Sequence, residues 1–212
     1  MIGRGKSATM GMAIGAAVGM GYSNIFVTSP SPENLKTLFE FVFKTFDSLG
    51  LKEHTDYELV ESTNPKFNKC VVRVNIFHTH RQTIQYIQPT DYARLGQAEL
   101  VVVDEAAAIP LVHVRRLFGP HLLFLSSTVN GYEGTGRSLS LKLIKNLRDQ
   151  QNFQGEESST GGGRLLRELS LDEPIRYNKG DPVEEWLNKL LCLDAQVPNV
   201  KTGCPHPSQC SL

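Results

Sequence analysis

Four consecutive branched apolar residues followed at once by two acids, Leu100-Val101-Val102-Val103-Asp104-Glu105, constrain this chain more than any other stretch. A strand without polar alternation has no face to give to water, so it belongs inside a sheet covered by helices on both sides, as in parallel α/β folds. The acids then fall at the strand's carboxyl end, where such sheets bind ligands.

The flanking segments agree. Residues 23–29, 70–77, 84–88 and 121–127 read as further strands, and helices are expected over 8–20, 33–49, 110–117 and 138–151. Within 33–49, Leu35, Leu38, Phe39, Val42, Phe43 and Phe46 recur at three- and four-residue steps, one face of an amphipathic helix that Gly50 closes. Strands alternating with helices predict a parallel α/β sheet. Residues 165–171 read as an edge strand and 183–193, with Trp186, Leu187, Leu190 and Leu191, as a short helix. A length of 212 residues suits one ordinary domain. That domain is expected over 1–195, with a glycine-rich flexible insertion near 150–163, and 196–212 begins a linker.

Composition excludes several classes. Lys+Arg 22 against Asp+Glu 22 leaves no global basic field, so any nucleic-acid contact must be local. Four cysteines without a C-x-x-C pair fit a reduced intracellular protein better than a disulfide scaffold. Cys204-x-His206-x-x-x-Cys210 with Cys192 matches no common zinc spacing. The six histidines are scattered, and no Ser-His-Asp arrangement can be read from their order. Arg4 and Lys6 before the small apolar run 8–20 have the outline of a signal peptide. Its glycines, its lack of leucine and its shortness argue against that and against a membrane span.

Two sites carry chemistry. Gly3-Arg4-Gly5-Lys6-Ser7 precedes a run of helix-tolerant residues, the pattern of a phosphate-binding loop. There glycines let backbone N–H groups close around phosphate oxygens, a lysine reaches the β- and γ-phosphates, and a hydroxyl meets Mg²⁺. The positive end of the following helix points at the same anion. Gly11, Gly15 and Gly19 share one face of that helix, which a close-packed neighbouring helix or sheet explains better than membrane dimerisation. The second site, Asp104-Glu105, is placed to hold Mg²⁺ through Asp104 and to orient the attacking water through Glu105, or else to cap a following helix. Ser126-Ser127-Thr128 ends the next strand and suits either γ-phosphate sensing or a plain turn. The loop 131–137 suits either phosphate contact or a turn, and Arg176 is a candidate cation for the triphosphate.

Longer strings narrow the reading. Ser23-Asn24-Ile25-Phe26-Val27-Thr28-Ser29-Pro30-Ser31-Pro32-Glu33-Asn34-Leu35, then Val103-Asp104-Glu105-Ala106-Ala107-Ala108-Ile109-Pro110, then Asn130-Gly131-Tyr132-Glu133-Gly134-Thr135-Gly136-Arg137-Ser138-Leu139-Ser140, resemble the helicase-type ATPase module of the RNA cytidine acetyltransferases, nearer the eukaryotic nucleolar type than the bacterial form. The resemblance implies a RecA-like P-loop NTPase sheet flanked by helices, with ATP and Mg²⁺ as cofactors. Gly3, Arg4, Gly5, Lys6, Ser7 and Arg176 would touch nucleotide, Ser7 and Asp104 the metal, and Asp104 and Glu105 would be catalytic. Thr28, Ser29 and Ser31 would face nucleic-acid backbone.

The family makes N4-acetylcytidine from acetyl-CoA in tRNA and the 18S rRNA precursor. It implies a nuclear, nucleolar location, RNA and a tRNA-binding adaptor as partners, a possible homodimer at full length, and no membrane. In the family a strand and a T-A-x-R stretch precede the phosphate loop, and an acetyl-CoA domain follows. This chain opens at Met1-Ile2, so the expectation is an internal piece lacking the first strand and unable to transfer acetyl groups by itself. The alternative is a non-catalytic interaction module.

Overall fold

The structure, a computed structural model, describes residues 4–127, 166–171, 173, 175 and 181–190. The chain divides into two compact units, 1–179 and 180–212.

In the first unit six strands form one sheet: β1 (Asn24–Thr28), β2 (Tyr57–Glu61), β3 (Val71–Ile76), β4 (Gln82–Tyr86), β5 (Leu100–Val103) and β6 (Leu122–Leu125), in the order β2-β3-β4-β1-β5-β6. The strands β4, β1, β5 and β6 run parallel, whereas β3 is antiparallel to both β2 and β4. The sheet is therefore mixed, which corrects the expectation of a parallel sheet throughout. The helices are α1 (Lys6–Gly19), α2 (Lys36–Ser48) and α3 (Leu111–Arg116).

Strand β5 behaves as its composition requires. All four of its residues are buried. Leu100 and Val102 join one core with Ile25, Val27 and the faces of α1 and α2, and Val101 and Val103 join a second core with Ile109, Val114 and Leu117. Period-two alternation has thus split one apolar run between two cores. In the first core Phe46 meets Tyr57 edge-on at 5.1 Å between ring centroids, and Tyr57 stacks on Phe43 at 6.0 Å. Such pairs contribute about 1 kcal/mol each beyond their burial.

The glycine face of α1 lies against α2. A Cβ on Gly11 would fall on the Leu38 carbonyl oxygen and 2.8 Å from Phe41 Cβ, and one on Gly15 would fall 2.5 Å from Thr45 Cβ. A neighbouring helix, not a bilayer, is what those glycines accommodate. The run that looked like a signal peptide is a core helix, with Ile14, Ala17 and Val18 buried. Among the described residues no helix is long and apolar enough to cross a membrane.

Other boundaries shift. The expected helix 33–49 starts as a 3-10 turn over Pro32–Leu35 and becomes α-helical from Lys36. Strand β2 had no counterpart in the sequence reading, and the residues described within 165–171 form no strand. The helix expected over 138–151 and the insertion near 150–163 lie outside the described residues, as does the linker 196–212. Among the described residues β6 is an edge strand, with Leu122 45% exposed.

In the second unit, helix α4 (Pro182–Leu190) begins where Val183 N donates to Asp181 Oδ1 at 2.8 Å. Val183, Trp186 and Leu190 are exposed along it.

Candidate nucleotide site

The end of the sheet on which each group lies follows from one clamp. Gln82, the first residue of β4, donates through Nε2 to Val18 O at 2.8 Å and Tyr22 O at 2.9 Å, fixing the carboxyl end of α1 at the amino ends of β4 and β1. A 14-residue helix rises about 21 Å. Its amino end therefore lies toward the carboxyl ends of the parallel strands, where β5 delivers Asp104. The order of loop and acid strand read from sequence is thus matched by placement at a common end of the sheet.

At that helix start Gly5 has φ +79, a left-handed backbone suited to glycine, and its carbonyl accepts from Thr9 N at 2.9 Å. The Ile175 side chain fills the space a Cβ on Gly5 would need. Lys6 and Ser7 open α1 half-buried, and Arg4 is buried. Gly3 lies outside the described residues, as do Arg176, Thr128, the loop 131–137, Cys192, Cys204, His206 and Cys210.

Asp104 is 1% exposed. Its Oδ1 accepts from Ser126 Oγ and from Glu105 N, the latter at 3.0 Å, while Oδ2 is buried with no hydrogen-bond partner among the described residues. Ser126 is thus a bracket that aims the acid. Thr28 Oγ1 and Ser127 Oγ are likewise buried and unsatisfied. The three atoms end adjacent strands: Asp104 N donates to Thr28 O and Ser126 N to Val103 O, each at 2.9 Å. Leaving such atoms unmet costs about 1–3 kcal/mol each, so their clustering points to a polar ligand. Hard oxygen donors with one carboxylate suit Mg²⁺, which keeps waters and phosphate oxygens in its shell. Among the described residues no cluster of three acidic, histidine or cysteine side chains forms a metal cage.

Glu105 diverges from its neighbour. It is exposed, its φ is +50, and its Oε2 accepts from Asn34 Nδ2 at 3.1 Å. Neither acid caps the turn Ala106–Ala108, which has no side-chain cap. The block 28–35 also differs from its expected role. Thr28 and Ser29 are fully buried, and Ser29 Oγ donates to Ser31 O at 2.6 Å, so these hydroxyls face inward and Asn34 is the polar group the block exposes. Asn34 had no assigned role in the sequence reading, although it lies inside the recognised block.

Beside that block a cleft of about 550 Å³ lies between α2 and the loop before β3, lined by Phe39, Phe43, Phe67, Lys36 and Cys70 among others. Burial first, then the nearby Glu33 carboxylate, pushes the Cys70 thiol above its usual range.

Comparison with known proteins decides the family. Residues 2–194 match the family model described as RNA cytidine acetyltransferase NAT10/TcmA, helicase domain. The chain belongs to that family. Its similarity to the RNA cytidine acetyltransferase of Saccharomyces cerevisiae is 63% identity over 230 residues, covering 99% of this chain and 22% of that protein. The Dictyostelium discoideum relative is 65% identical over 93% of this chain and 19% of its own length. The human one is 61% identical over 99% and 22%. The chain thus spans about a fifth of the length of these relatives.

Proposed function

We propose that this chain is the ATP-binding and ATP-hydrolysing module of an RNA cytidine acetyltransferase. The single observation that carries the reading is the group of buried, unsatisfied oxygens on Thr28, Asp104 and Ser127 at the end of the sheet toward which α1 directs Gly5, Lys6 and Ser7. In this reading the backbone of Gly3, Arg4 and Gly5 surrounds the phosphates, Lys6 places its ammonium on the β- and γ-phosphate oxygens, and Ser7 and Asp104 hold the metal shell. Mg²⁺, when bound, neutralises charge developing on the phosphoryl oxygens. Glu105 orients the attacking water and takes its proton as ADP leaves. The Ile175 side chain beside Gly5 supports bringing Arg176 to the triphosphate.

The family supplies the larger setting. Acetyl transfer from acetyl-CoA to cytidine in tRNA and the 18S rRNA precursor, a tRNA-binding adaptor, dimerisation and a nucleolar location are proposed for the whole protein, with this segment coupling ATP turnover to that reaction. The test exchanges this chain for the matching stretch of the yeast relative and measures RNA-stimulated ATP hydrolysis. Lys6→Ala is expected to abolish turnover, and equal turnover with and without it refutes the assignment.

A further inference from the structure

Asn34 and Glu105 are 71 residues apart in sequence, yet their side chains meet at 3.1 Å. We propose that Asn34 is a positioning residue that holds the Glu105 carboxylate out of its hydrolytic position until RNA engages the 28–35 block, making ATP turnover RNA-dependent. The proposal rests on the reading of Glu105 as the acid that orients water.

Four features carry it. Asp104 and Glu105 are consecutive but part company: the first is buried on Ser126, the second is drawn outward to Asn34. A carboxylate that accepts an amide hydrogen bond has spent one oxygen and is less basic, which suits a base held idle. The backbone of Glu105 sits at φ +50, a conformation costly for a residue with a side chain, and such strain recurs where an element has two states. The turn bearing Asn34 is also anchored beneath it, with Pro32 and Leu35 buried and Glu33 Oε1 accepting from Asn68 Nδ2 at 2.7 Å.

Because Asn34 and Glu105 are both exposed, their hydrogen bond is cheaply exchanged. A phosphate oxygen of an RNA backbone is a better acceptor for the Asn34 amide than a carboxylate already in water, and amide side chains are common phosphate contacts. When the amide turns to phosphate, the carboxylate is released toward the water it orients. The buried hydroxyls of Thr28 and Ser29 leave Asn34 as the group of this block placed to sense that phosphate.

The experiment uses the yeast relative carrying this chain, with ATP turnover measured with and without a single-stranded RNA oligonucleotide, and RNA affinity measured separately. Asn34→Ala is expected to raise RNA-free turnover severalfold, to bring the RNA-stimulation ratio near one, and to leave the KM for ATP unchanged. Asn34→Asp, which repels Glu105, is expected to act in the same direction. If Asn34→Ala leaves RNA-free turnover unchanged, or lowers turnover equally with and without RNA, the restraint does not exist. Glu105→Gln separates the two ideas: full turnover in that variant overturns the catalytic reading of Glu105 itself and the restraint with it. Loss in Glu105→Gln with no activation in Asn34→Ala overturns the restraint alone.

Discussion

Replacing Gly11 with alanine tests the packing that holds α1 in place. Removing a glycine from a helix interior is worth about 1 kcal/mol in helix propensity. Against that, the new methyl meets the Leu38 carbonyl oxygen and Phe41 Cβ at 2.8 Å, and the carbonyl belongs to the backbone of α2 and has no rotamer to escape into. The helices must part, which loosens Ile14, Ala17 and Val18 against Phe39, Val42 and Phe46. Overpacking of this kind costs about 1–3 kcal/mol, and more where backbone is the obstacle.

The expected net loss for Gly11→Ala is about 2 kcal/mol, which at this chain length lowers the melting midpoint by about 4–8 °C. Gly19→Ala is the internal control. Its methyl would meet only the end of the half-exposed Leu49 side chain, at 3.4 Å, so that variant is expected to be neutral or more stable by up to about 1 kcal/mol. Urea and thermal melts followed by far-UV circular dichroism measure both. A Gly11→Ala protein as stable as the parent, or more stable than Gly19→Ala, refutes the close-approach argument.

Two further predictions follow from the site and its neighbour. Asp104→Asn keeps an acceptor for Ser126 Oγ and Glu105 N while removing a buried charge, so it is expected to match or exceed the parent in denaturant stability yet lose Mg²⁺-dependent nucleotide binding; a loss of more than about 2 kcal/mol argues that the carboxylate is structural. Cys70, its thiol raised by burial and by Glu33, is expected to alkylate slowly at neutral pH and faster only as pH climbs above the usual thiol range, read by peptide mass mapping. The sign for stability follows: the neutral thiol costs nothing below the unfolded pKa, and stability falls as pH rises from there through the higher native value.

Local chemistry made part of this molecule legible. The run at Leu100–Val103 declared a strand buried on both faces, and Gly5-Lys6-Ser7 with Asp104 marked two elements that meet at one end of the sheet. Direction was not encoded there, because β3 has the same apolar content whether it runs with or against β4, and pairing sense is settled by connections. Strand β2 escaped because Glu58 and Glu61 break its apolar content at an edge position, where one face needs no core. Thr28 and Ser29 looked like surface hydroxyls because residue type does not report which side of a turn a side chain takes. The link from Asn34 to Glu105 spans strands that no local period relates, and only the β1 to β5 pairing brings it together.

The free rim of the sheet has a practical consequence. Leu122, Leu123, Phe124 and Leu125 offer an open ladder of amide and carbonyl groups flanked by greasy side chains that are partly or well exposed, a template for adding any other strand. Purified alone, the chain is therefore expected to grow into higher-order species by edge-to-edge addition, and Leu122→Lys to slow that growth in light scattering. Whatever normally lies along this border serves as a chaperone for it.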